Sequence, residues 1–134
     1  MISSYNTTTQ AVATGDLLTF TTDRILTGCT ATRSGQTFQL NKPGYYYVTF
    51  NAIAAATTLG ELTVELQNNG VVVPGAVSTY TTTTDGDNAS YAFSTIIRVP
   101  PSCCVVDNTA RLTLVNSGVD ATYTNVNINI TKLC

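Results

Sequence analysis

Apolar and polar residues alternate one by one along most of this chain, which is the period of a half-buried β-strand. No stretch carries the three-to-four spacing of an amphipathic helix. Leu62, Val64 and Leu66 are interleaved with Glu61, Thr63 and Glu65. Further on, Leu112 and Leu114 alternate with Arg111 and Thr113, and Val126, Ile128 and Ile130 with Asn125, Asn127, Asn129 and Thr131. The pattern also predicts strands over residues 17–22, 36–40, 45–52, 71–73 and 91–99. Residues 52–56 are alanine-rich but flanked by strand pattern on both sides, and read as a strand end followed by a loop.

Turn chemistry fills the gaps. Asn41-Lys42-Pro43-Gly44 places Pro and Gly for a tight reversal, and Asn69-Gly70 is a strong hairpin signal. Pro74-Gly75, Asp85-Gly86-Asp87-Asn88, Pro100-Pro101 and Ser117-Gly118 supply further breaks. About eight to ten short strands joined in this way predict an all-β antiparallel sandwich, a jelly roll or a small barrel. Residues 1–15 contain almost no core pattern and read as an N-terminal arm; residues 16–134 read as one domain.

Composition narrows the chemistry. Of 134 residues only 10% are charged, against roughly a quarter in an ordinary soluble domain. Threonine takes their place at about a fifth of the chain, and its branched Cβ suits a pleated surface. With no histidine there is no imidazole base, ligand or triad. Six basic residues and a pI near 4.7 argue against nucleic-acid binding. No apolar run is long enough to span a membrane, and the polar residues following Met1 do not form a secretory signal.

The run Phe38-Gln39-Leu40-Asn41-Lys42-Pro43-Gly44-Tyr45-Tyr46-Tyr47-Val48-Thr49-Phe50 resembles the jelly rolls of the tumour-necrosis-factor and complement globular-head superfamily. In that family a short strand, a Pro/Gly turn and an aromatic strand follow in this order. Residues 62–71 resemble the family's next hairpin, 91–99 and 111–115 the strands on either side of its polar loop, and 125–133 its closing strand at the centre of one sheet. The match is similar in kind to the C-terminal domains of collagen-like spore-surface glycoproteins and to head-fibre or decoration proteins of tailed phages, although no Gly-X-Y stalk is present. The resemblance implies a homotrimer. Adjacent residues of a strand face opposite ways, so if Tyr46, Val48 and Phe50 enter the sandwich, Tyr45 and Tyr47 lie outside it. Tyr45, Tyr47, Val126, Ile128 and Ile130 are therefore the expected trimer-interface residues.

No constellation of side chains supports catalysis, and no cofactor is expected. Cys29, Cys103, Cys104 and Cys134 lack the C-x-x-C spacing of a zinc site. They leave open a disulfide between Cys29 and one of the vicinal pair, free thiols, or a link between subunits through Cys134. Glu61 and Glu65 stand about 13 Å apart on an extended strand, beyond the reach of a glycosidase pair. Asp85 and Asp87 have the oxygen density of a calcium loop without its later acidic ligand. The Thr79-to-Thr84 tract reads as a polar connector or a ligand-facing loop, with Tyr80, Tyr91, Asp85 and Asp87 as ligand candidates. N-x-S/T sequons fall at Asn6, Asn88 and Asn129. The expected role is structural: a trimer docked on a capsid or other large assembly at a virion surface, as a bacteriophage decoration or head-fibre protein. A glycan- or host-surface-binding module and a bacterial spore or cell-surface layer protein are the alternatives.

Overall fold

The computed structural model describes residues 1–28, 31–57, 59–83, 88–101 and 109–133. Cys29, Cys103, Cys104, Cys134, Asp85 and Asp87 lie outside them, and so do the disulfide and calcium-loop readings.

The described residues form eleven strands: β1 (Ile2–Asn6), β2 (Gln10–Val12), β3 (Thr22–Leu26), β4 (Ala31–Ser34), β5 (Thr37–Leu40), β6 (Gly44–Ala56), β7 (Glu61–Asn68), β8 (Val71–Thr81), β9 (Asn88–Val99), β10 (Ala110–Asn116) and β11 (Ala121–Lys132). One sheet runs β3-β1-β11-β6-β9, with β2 paired to the first residues of β11. The other runs β4-β5-β10-β7-β8. All pairs are antiparallel, and the two sheets sandwich one core.

The alternation places that core. Tyr46, Val48 and Phe50 point inward from β6, Leu62, Val64 and Leu66 from β7, and Val126, Ile128 and Ile130 from β11. At one side Phe20 meets Phe38 edge-on, with centroids 5.4 Å apart at 81°. Asn69 and Gly70 both take positive φ (52° and 83°), as a two-residue hairpin turn requires. At Gly118 a Cβ would lie 2.2 Å from the Glu61 carbonyl oxygen, so only glycine lets the β10–β11 turn approach β7 this closely.

Four expectations change. Residues 1–15 are not an arm outside the core, because β1 lies between β3 and β11, with Ile2, Ser3, Ser4 and Asn6 buried. Its buried polar residues are what conceal the strand from a hydrophobic pattern. Residues 17–21 carry an apolar pattern but form no strand beyond the single bridge Leu17–Val115. There, side chains supply part of what a neighbouring strand would, beside the Leu18 N–H bond to Leu114 C=O and the Thr21 N–H bond to Tyr5 C=O. Gln10 accepts from Thr19 N–H (2.8 Å) and donates to Thr19 C=O (2.9 Å), and Gln36 Oε1 accepts from Phe20 N–H (2.6 Å). Residues 52–56 continue β6, since Ala54 and Ala56 turn inward where β9 and β11 flank it. Finally, β8 extends past Pro74-Gly75 to Thr81, with Val73 to Ala76 bulging opposite Leu66. Proline is tolerated there because β8 is an edge strand.

Candidate functional site: the outward face of the β6 sheet

Strand β6 lies between β11 and β9 in its sheet and presents Tyr45, Tyr47, Thr49, Asn51, Ile53 and Ala55 away from the core. Tyr45 is 46% exposed, Tyr47 41%, Ile53 42% and Ile96, the β9 partner of Tyr47, 56%. Among these β6 residues and their register partners on β9 and β11, Arg98 alone is charged. The middle of the face is joined by Asn129 Nδ2 donating to Thr49 Oγ1 at 3.3 Å, and a depression of about 350 Å³ lies over Thr49, Asn51, Ala92 and Ser94. A surface of this kind, aromatic and aliphatic with neutral hydrogen-bonding groups between, can be covered without burying an unpaired charge.

Of the expected interface residues, Tyr45 and Tyr47 lie on this face. Val126, Ile128 and Ile130 do not: each is fully buried in the core of its own chain. The period-two rule gives β11 one apolar face, and the opposite sheet takes it. The outward β11 residues are Asn127, Asn129 and Thr131.

The ligand candidates separate as well. Tyr80 is 43% exposed on β8, at the rim of a cavity of about 500 Å³ between β8 and β9 that Ser78, Asn88 and Ser90 also line. Tyr91 touches that cavity but is only 4% exposed, so it is a core residue and not an open stacking platform. Among the described residues its hydroxyl has no hydrogen-bond partner, and burial pushes its phenol well above the usual tyrosine range. The tract from Thr79 is not a free connector, because Thr79 to Thr81 belong to β8 and Thr82 is buried. Of the sequons, Asn6 is buried and its side chain donates to Thr19 C=O (3.1 Å), which closes it to glycosylation in the folded chain.

Two polar clusters, neither visible as a sequence motif, hold the frame of this face. Asn116 is fully buried with all its capacity used. Its Nδ2 donates to Val12 C=O and Val119 C=O (both 3.0 Å), and its Oδ1 accepts from Gly118 N–H (3.3 Å) and Tyr123 O–H (3.1 Å). Arg33 on β4 ties the two sheets together. It pairs with Asp23 on β3 at 2.5 Å, donates to Gly35 C=O (2.8 Å) and also donates to Phe20 C=O. Asp23 further accepts from Ser4 Oγ at 2.5 Å. Burial raises the Asp23 carboxyl pKa, but the Ser4 and Arg33 hydrogen bonds and the Arg33 charge outweigh it, leaving Asp23 below the ordinary carboxylate value. Among the described residues no three His, Cys, Asp or Glu side chains gather as a metal site needs.

This arrangement is the jelly roll of the tumour-necrosis-factor and complement globular-head type, with the closing strand central in its sheet as the sequence resemblance implied. The chain is similar in structure to the globular domain of the zebrafish complement 1qA protein (12% identity, 99% of this chain and 96% of that chain, TM-score 0.69). It is similar also to the PRD1 vertex protein P5 (18%, 99% and 96%, 0.64) and to murine APRIL (8%, 98% and 98%, 0.62). None of these names is that of an enzyme. No family model and no curated protein matches the chain.

Proposed function

We propose that this chain is a structural virion protein, a homotrimeric capsid-decoration or head-fibre protein displayed on a bacteriophage particle. The observation that carries the trimer is the outward face of β6 and β9, where Tyr45, Tyr47, Ile53 and Ile96 stand exposed in a field containing one charge. Covering it with a second and third copy buries apolar area at little desolvation cost. The β8–β9 side, where Tyr80 and Val77 are exposed, supplies an edge that a neighbour's face can receive. The likeness to a viral vertex protein over 99% of the chain supports the virion setting.

Light scattering tests the assembly. A mass of about 43 kDa, three times 14.2 kDa, supports the reading, and a clean monomer overturns it. The setting is tested by mass spectrometry of gradient-purified particles from the genome that encodes the chain. The protein is expected in stoichiometric amount with the capsid, and its absence from intact particles overturns the virion role.

A second reading, a glycan- or host-surface-binding head, is favoured by the β8–β9 cavity with Tyr80 at its rim. Tyr80→Ala is then expected to abolish adhesion, and adhesion unchanged in that variant removes this reading.

A further inference from the structure

Tyr5 is the outward residue of β1 at the opposite end of the same sheet, and a β-bulge lies on each side of it. On β3, Ser3 pairs with Ile25 and Ser4 with Asp23, which leaves Arg24 as the extra residue. On β11 the register breaks between Thr124 and Asn127, and Asn125 takes a φ of 54°. Bulges re-aim side chains, and these two bring their residues to one place. Tyr5, Thr7, Arg24, Asn125, Val126 and Asn127 line a cavity of about 270 Å³. The Arg24 guanidinium lies 4.8 Å from the centre of the Tyr5 ring. Arg24 is exposed on β3, and among the described residues it forms no ion pair and donates no hydrogen bond. Asn127, the register partner of Tyr5, carries an Oδ1 shut off from water and, among the described residues, without a hydrogen-bond partner.

A cation resting on an aromatic ring, with unused donors, stands beside the Thr7 hydroxyl and the Asn125 and Asn127 residues around a hollow the size of one sugar ring. We propose that this cavity binds an acidic saccharide unit, its carboxylate on Arg24 and its hydroxyls on Asn127, Asn125 and Thr7. One cation matches one carboxylate and not a polyanion. The rim offers amides and hydroxyls, and the one aliphatic residue, Val126, turns its side chain into the core. The site is separate from the β8–β9 cavity and does not depend on trimer formation.

The test is amide chemical-shift titration of the full chain with glucuronic acid and with the methyl glycoside of N-acetylneuraminic acid. N-acetylglucosamine and acetate serve as neutral and simple-anion controls. Saturable shifts confined to residues 5, 7, 24 and 125–127 are expected for at least one acidic sugar, with both controls weaker. Arg24→Gln is expected to weaken binding about tenfold or more, as loss of a charged hydrogen bond does, with its melting temperature unchanged. Asn127→Ala is expected to weaken binding while leaving the melting temperature unchanged or raised, because it removes an unsatisfied acceptor; a purely structural Asn127 would lower it. No shifts with either acidic sugar, binding unaffected by Arg24→Gln, or acetate binding as tightly as the sugars each overturns the proposal.

Discussion

Asn116 shows how much one buried polar side chain can hold. Four groups from three parts of the chain depend on it, and each loses its partner when the amide is removed. Asn116→Ala is expected to cost about 2–4 kcal/mol, read as a fall in melting temperature, whereas Asn88→Ala on the exposed edge changes it little. Asp23 gives the acid side of the stability profile. Its carboxyl titrates lower in the folded chain than in the unfolded one, so its contribution is complete above the unfolded pKa near 3.8 and is lost as pH falls through the folded value. Melting temperature is therefore expected to drop below about pH 4, and less steeply in Asp23→Asn, which starts lower. The phenols give the alkaline side. Burial raises Tyr46, Tyr91 and Tyr123 above the ordinary value of 10, so their stabilisation is complete below pH 10 and lost as pH rises. Absorbance at the phenolate band is expected to show these three ionising only with unfolding.

Among the elements, β6, β7, β9, β10 and β11 are legible in the sequence because each pairs on both sides or faces the core along its length, so Val, Ile, Leu and aromatic residues alternate cleanly. Strand β1 is not legible: its inward positions include Ser4 and Asn6, which bond to Asp23 and to Thr19 instead of packing as hydrocarbon. Residues 17–21 mislead in the opposite sense, since Leu18 and Phe20 are core residues on a segment whose backbone bonds partly to the side chains of Gln10, Gln36, Asn6 and Arg33 and partly to the Leu114 and Tyr5 carbonyls. The outward tyrosines followed from alternation on β6, but the two bulges flanking Tyr5 did not, because a bulge is a fault in register and leaves no periodic mark. The β10–β11 turn is constrained more by space than by conformation. Gly118→Ala is expected to destabilise by about 2 kcal/mol or more, since the colliding atoms are the β7 backbone; Gly70→Ala, where a Cβ meets open space, is expected to cost about 1 kcal/mol from its φ alone.

At the scale of the whole molecule, the proposed trimer gives the low charge of one face a role. The β6–β9 surface has the aromatic and aliphatic groups of a contact and lacks the scattered lysines and glutamates that keep a monomer's surface solvated. Placing one carboxylate there is expected to act on assembly and not on folding. Tyr47→Asp lowers the light-scattering mass toward that of one chain, while circular dichroism of the dilute protein keeps its β signal. The placement of β1 beside β11 has a further consequence, for the protein's synthesis. Residues 2–6 leave the ribosome more than a hundred residues before their β11 neighbours, and have no partner on that side until residues 126–130 have been translated. The sheet that carries the proposed contact face therefore closes only once β11 is made. Folding is governed by a non-local pairing, and a chain stalled before β11 displays β1 and β6 as open edges ready to capture the same strand from another copy.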